Sequence, residues 1–193
     1  GNMNRRVFIT GYGVITAIGG NGPENFVSLR DRKCGYGRLE FLETRYRDDI
    51  YCCEIKLSDE ALCRRAGVPT GGGFTRTTLL GLIAIREAIA SAGLTDREVR
   101  NAGLVSATTA GGIRELEKHF FERQDLQSSG DFIAFLDTVD PGEHMERLAD
   151  ILGMQRYLAT VSTACSSSAN ALLFGARLIK TGLTDCVICG GAE

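Results

Sequence analysis

The segment Val161-Ser162-Thr163-Ala164-Cys165-Ser166-Ser167-Ser168-Ala169-Asn170-Ala171 holds the residues best suited to covalent chemistry. Its pattern predicts a buried strand that delivers Cys165 to the first turn of a long helix. A helix N-terminus carries partial positive charge and unpaired N–H groups, which lower a thiol's pKa and raise its thiolate fraction. The Cys165 N–H would point where an oxyanion forms on an attacked thioester. The small neighbours Thr163, Ala164 and Ser166 leave room for a bulky acyl chain or a facing helix, and are candidate substrate-binding residues. A buried cysteine acting as a small hydrophobe is the competing reading. Position alone does not choose between them.

Other spacings that invite chemistry are weaker. Cys186 and Cys189 are spaced C-x-x-C, but no second pair completes four zinc ligands, and residues three apart on a strand face opposite sides. They read as buried thiols, and no metal site is expected. Gly11-Tyr12-Gly13 follows an apolar run, yet the third glycine of a dinucleotide fingerprint is replaced by Thr16 and Asp31 sits in a charged turn. No G-x-S-x-G elbow is present. His119 and His144 lie in charged helical stretches and read as solvated. Cys34, Cys52, Cys53 and Cys63 have no metal-binding spacing.

The elements that must position Cys165 alternate. Val7–Thr10 reads as a buried strand closed by Gly11 and Gly13. Pro23–Arg30 reads as a helix with proline in its opening turn, and residues 34–51 as a charged excursion. Ser58 opens a helix to Arg65, and Thr75–Ala92 forms a longer, buried one. Thr95-Asp96-Arg97-Glu98 has the form of a capping box. Ala102–Ala107 is the second strand, and Gly111-Gly112 opens an amphipathic helix through Phe121. Residues 128–139 are irregular. Asp140-Pro141-Gly142-Glu143 caps a helix ending near Leu152, Tyr157–Ser162 is the third strand, Ser166–Thr181 a helix and Cys186–Cys189 the fourth strand. Alternation of this kind predicts an α/β fold, a mostly parallel sheet covered by helices on both faces.

The chain has 193 residues, enough for a sizeable apolar core, and a formal net charge of −2. There is no basic stripe for nucleic acid. No apolar run approaches the roughly 18 residues that cross a bilayer, and no secretory leader is visible. Seven cysteines, an odd number, favour a reducing, cytoplasmic setting over a disulfide framework. Gly1 and Asn2 ahead of Met3 read as an expression scar, leaving 3–193 as one domain.

Four ordered stretches together resemble the elongating β-ketoacyl synthases of fatty acid and polyketide pathways. Thr163-Ala164-Cys165-Ser166-Ser167-Ser168 resembles their active-site segment, and Val7–Thr16 with Gly19 their opening strand. Ala107-Thr108-Thr109-Ala110-Gly111-Gly112 resembles their second-strand turn, and Val187-Ile188-Cys189-Gly190-Gly191-Ala192-Glu193 the strand ending in G-G-A-E. Residues 34–73 and 128–138 match only loosely.

The resemblance implies a thiolase-like fold, of which this sequence matches the N-terminal half of a duplicated domain. It implies that Cys165 accepts an acyl group from an acyl carrier protein, and that decarboxylation of a malonyl thioester supplies the carbanion that attacks it. No cofactor is implied. The family's two histidines, its nearby lysine and its second oxyanion donor belong to a second half that this sequence does not contain. The chain alone is therefore expected to be inactive, and to be part of a protein about twice as long. The position matching Ala110 gates the family's acyl pocket. Alanine would leave it open unless neighbouring side chains fill the space. A homodimer is implied, with Tyr157–Ser162 pairing across a two-fold axis, although a heterodimer with a non-catalytic, chain-length-determining partner is the alternative. Fatty acid, polyketide and aryl polyene pathways are not distinguished.

A half without its closing elements would expose strand edges and an apolar face. Residues 3–193 alone are predicted to aggregate or dimerise. Size-exclusion chromatography that returns a monomer of high thermal stability would contradict this.

Overall fold

The structure, a computed structural model, describes residues 5–120, 124, 127 and 140–193. The chain divides into two compact units, residues 1–9, 71–81 and 94–193, and residues 10–70 and 82–93. Among the described residues no helix is long and apolar enough to cross a membrane.

The second of these units begins with α1 (Gly22–Arg30), capped by the Asn21 side chain, which accepts the Glu24 N–H at 2.8 Å. Two three-residue strands, β1 (Tyr36–Arg38) and β2 (Tyr51–Cys53), then pair antiparallel. Sequence patterning reads residues 34–51 as an excursion, because three-residue strands are too short to show a period of two. The Tyr36 and Tyr51 rings stack at 5.6 Å, and Arg38 lies 5.3 Å from the Tyr51 ring centroid. Glu54 ties down the connecting loop by accepting the N–H groups of Glu40, Phe41 and Leu42. Burial raises its pKa, but the bonds from Lys56 and these amides outweigh burial and hold the carboxyl at about 2. Next, α2 (Asp59–Ala66) starts at Ser58, whose hydroxyl accepts the Ala61 N–H, and ends at Gly67 with φ of 71°. Along α3 (Arg76–Ala92), residues 76–81 belong to one unit and 82–92 to the other. Glu87 accepts the N–H groups of Val14 and Gly22.

The unit that carries Cys165 is built around β3 (Gly103–Ala107), buried at all five positions. α4 (Asp96–Asn101) leads into it, and Thr95 and Glu98 form the complete reciprocal capping box. After β3 comes α5 (Ile113–Lys118), shorter than the patterning predicts. Phe121 and the irregular stretch 128–139 lie outside the described residues. α6 (Pro141–Leu152) has Asp140 as its cap and ends at Gly153, φ 66°. β4 (Arg156–Val161), α7 (Ser167–Lys180) and β5 (Val187–Gly191) follow.

The three strands form one parallel sheet in the order β4-β3-β5. On one face Val105 and Ala107 pack with Ala171 and Leu178 of α7, joined by Ala159, Val161, Val187 and Cys189. Leu104 and Ser106 alternate to the other face, and α6 lies against β3 and β4. The β3–β4 register shifts after Gly103: Gly103 pairs with Arg156 but Leu104 with Leu158. Tyr157 is the extra residue of this bulge and has φ of 46°, a left-handed value uncommon for a bulky side chain.

Val7–Thr10, expected to be a buried strand, is not one. Phe8 is 70% and Ile9 85% exposed, because the sheet runs only from β4 to β5 and offers this segment no ladder among the described residues. A β-branched run forms a strand only where a neighbour takes its backbone groups.

α7 approaches β5 closely at Gly175, where an added Cβ would lie 3.0 Å from Cys189 Sγ and 3.2 Å from Val187 Cγ1. Gly175→Val is therefore expected to destabilise the chain by about 1–3 kcal/mol through overpacking, read as a lower urea midpoint with unchanged slope.

Candidate functional site

Between β4 and α7 the chain turns sharply through a single 3₁₀ turn, Ala164–Ser166. Ala164 has φ of 52°, a left-handed conformation that a non-glycine residue keeps only when its surroundings hold it. They do so through the serines that follow. Ser167 Oγ donates to the Ala164 carbonyl at 2.7 Å and accepts the Thr163 N–H at 2.8 Å. Ser166 Oγ donates to the Thr163 carbonyl at 2.8 Å. Asn170 Nδ2 donates to Thr163 Oγ1 at 2.9 Å and to Ser166 Oγ at 3.3 Å. Thr109 Oγ1 donates to the Ala164 carbonyl over a longer 3.4 Å. This turn presents Cys165 as an exposed thiol.

Cys165 opens onto a cavity of about 420 Å³. Ala107 and Thr109 line it from β3 and its turn, Ala164, Cys165, Ser167 and Ser168 from the elbow, and Gly191, Ala192 and Glu193 from the end of β5. An added Cβ at Gly191 would lie 2.3 Å from Ser168 Oγ and 2.9 Å from the Ala107 carbonyl oxygen, so only glycine lets β5 end this close to the start of α7. The Ala192 N–H donates to the Ala107 carbonyl at 3.1 Å. The Glu193 carboxylate accepts the N–H groups of Thr109 and, at 3.2 Å, Ala110.

Of the residues singled out in the sequence, Cys165 and Ala164 line the cavity. Thr163 and Ser166 brace the turn behind it. Ala110 is exposed in the turn after β3, its N–H held by Glu193. Thr109, Ser167, Ser168 and Glu193 also line the cavity, although patterning alone gave them no individual role. Glu193 is 84 positions from Thr109, a proximity no local pattern encodes.

His144 is not a solvated residue. It is 3% exposed on α6, and its Nδ1 lies 3.1 Å from Thr78 Oγ1, which is itself 3.0 Å from Thr75 Oγ1. Its Nε2 is buried and has no hydrogen-bond partner among the described residues. Charged neighbours Glu143, Glu146 and Arg147 mask the fact that His144 shares a buried stripe with Met145, Leu148 and Ala149. His119 lies half-buried in the turn after α5, beyond the helix. Cys186 and Cys189 are both half-buried on β5 and its approach, and burial pushes both thiols up. Among the described residues no cluster of His, Cys, Asp or Glu side chains could hold a metal.

The profile of the β-ketoacyl synthase N-terminal domain matches residues 4–193. The chain belongs to the β-ketoacyl synthase family. The 3-oxoacyl-[acyl-carrier-protein] synthase 1 of Haemophilus influenzae is 31% identical over 195 residues, covering 98% of this chain and 47% of that protein. Among solved structures, the ishigamide ketosynthase/chain length factor superposes with a TM-score of 0.79 at 24% identity, over 96% of this chain and 46% of the other. A type II polyketide ketosynthase in complex with its acyl-carrier protein superposes at 0.67 with 16% identity, over 96% and 50%. These two likenesses establish the thiolase-like α/β fold. The chain spans about half the length of the ketosynthase relatives it matches.

Burial lowers the His144 pKa from 6.5 to about 4, and the Glu193 charge opposes that shift. Between these values the unfolded chain binds a proton that the folded chain does not, so stability falls as pH drops from 6.5 towards 4. The unfolding constant should change by up to about tenfold per pH unit from this group alone. His144→Gln is expected to flatten that dependence in urea titrations across the window.

Proposed function

We propose that this chain is the N-terminal half, residues 3–193, of a 3-oxoacyl-[acyl-carrier-protein] synthase, and that Cys165 is its acyl-accepting nucleophile. The observation that carries the reading is the exposed cysteine on a braced, left-handed turn facing a cavity. In the first step the Cys165 sulfur attacks the carbonyl carbon of an acyl thioester. The new C–S bond replaces the old one, and the carrier leaves as its thiol after taking up the cysteine proton. In the second step a malonyl-carrier thioester loses CO2. Its carbanion forms a C–C bond to the acyl carbon, and the bond to Cys165 breaks, which returns the thiolate. The Cys165 N–H would donate to the developing oxyanion, with Ala164 beside the acyl group, Ala110 in the turn at the cavity's edge, and Thr163 and Ser166 bracing the turn that presents the thioester. The proton-transfer histidines would come from the half that this sequence does not include.

By family resemblance the complete protein works in the cytoplasm as a homodimer that pairs Tyr157–Ser162 across its axis, with acyl carrier protein as transient partner. β4 is the outer strand of its sheet, which suits that pairing. The alternative, a non-catalytic chain-length-determining partner of a ketosynthase, is disfavoured by the cysteine itself.

The test uses the full-length gene product incubated with an acyl-carrier thioester. Intact mass spectrometry should find one acyl adduct, mapped to Cys165. Cys165→Ala should remove the adduct and lower condensation by about 10³-fold or more. A full-length protein that takes no adduct, yet alters product length when mixed with an active ketosynthase, would replace this reading with the alternative.

A further inference from the structure

Glu193 takes part in neither step above, yet it touches the site twice. It lines the cavity, and each of its carboxylate oxygens accepts one backbone N–H from the turn after β3, Thr109 on one and Ala110 on the other. Among the described residues that turn has only a few other bonds to fix it. It runs into Gly111, at φ 55°, and Gly112, and Thr109 and Ala110 are both exposed. Among the described residues its other ties are the Ile113 N–H to the Ala110 carbonyl at 3.2 Å, the Gly111 N–H to Thr108 Oγ1 at 3.2 Å, the Thr77 hydroxyl to the Gly111 carbonyl at 3.3 Å, and the longer contact from Thr109 Oγ1 to the Ala164 carbonyl. The last joins the turn to the residue immediately before Cys165.

We propose that Glu193 is a positioning residue for acyl-chain selection. It clamps the Thr109–Ala110 turn and thereby sets the cavity wall that faces the thioester formed on Cys165. A carboxylate suits the task because two adjacent N–H donors need two acceptor oxygens, and charge strengthens both bonds. Glutamine offers one oxygen and one NH2, so one amide of the pair would lose its acceptor. The wall would then move by the play of a glycine-flanked turn. A long acyl chain, which runs along the wall, would feel this more than an acetyl group.

The inference rests on acylation of Cys165, and the experiment separates the two claims. Full-length protein and its Glu193→Gln variant are assayed with acetyl and octanoyl thioesters of the carrier protein. The expected result is a fall of about tenfold in the octanoyl-to-acetyl ratio of kcat/KM, the size of one lost charge-assisted hydrogen bond, carried mainly by a higher KM for the octanoyl donor. Glu193→Asp, which keeps both oxygens, should recover part of the ratio. An unchanged ratio in Glu193→Gln, with both donors still transferred, overturns the positioning role and leaves the nucleophile intact. Absence of any adduct on wild-type protein overturns the underlying reading instead. If the glutamine variant does not fold, amide exchange on the wild-type protein decides the matter. Thr109 and Ala110 should exchange at least about tenfold more slowly than an unstructured chain despite their exposure, and exchange at the unstructured rate overturns the clamp.

Discussion

The left-handed turn at Ala164 is the constraint around which the site is built. A non-glycine residue in that conformation costs on the order of 1 kcal/mol or more, so the surroundings must determine it several times over. Ser167 answers for both sides of the turn at once, donating to the Ala164 carbonyl and accepting from Thr163. Ser166 and Asn170 hold Thr163 from the helix side. The serines after the cysteine are therefore not merely small residues that give a substrate room. Their hydroxyls keep the strand-to-helix reversal tight enough to leave the thiol outside the packed layer.

Close packing beneath that turn depends on missing side chains. Gly175 lets the middle of α7 rest on Val187 and Cys189, and Gly191 lets β5 finish beside Ser168 and the Ala107 carbonyl. With both in place, the G-G-A-E end of β5 arrives at the mouth of the cavity, and its glutamate can reach a turn that lies far away in sequence. Strand, elbow and turn thus share one small volume, supplied by three separate parts of the chain.

Local chemistry was readable from the amino-acid order wherever a few adjacent residues determine it. The capping box at Thr95, the Asp140-Pro141 start, the glycine stops at Gly67 and Gly153, and the long helix beside Cys165 all follow from short patterns, whereas the separate 3₁₀ turn that holds Cys165 ahead of that helix was not among them. What escaped depends on partners distant in sequence. Val7–Thr10 has the composition of a strand but no ladder to join. β1 and β2 are strands too short to carry a period. His144 looked solvated because charged residues flank it, although its i+4 neighbour Leu148 marks the buried stripe. Glu193 was legible as part of a family motif, while its grip on Thr109 and Ala110 required coordinates.

The single residue inserted at Tyr157 has an effect out of proportion to its size. In a regular ladder that kept Tyr157 in step, Leu104 would face Tyr157 and Val105 would face Leu158, and every later side chain of β4 would change phase. Leu158 and Thr160 would then turn towards α7, where Ala159 and Val161 now pack. The strand would also overrun by one step, about 3.3 Å, and carry the thiol past the point where β5 and the β3 turn converge. A one-residue offset at the far end of β4 thus acts as the spacer that brings the nucleophile into line with its cavity.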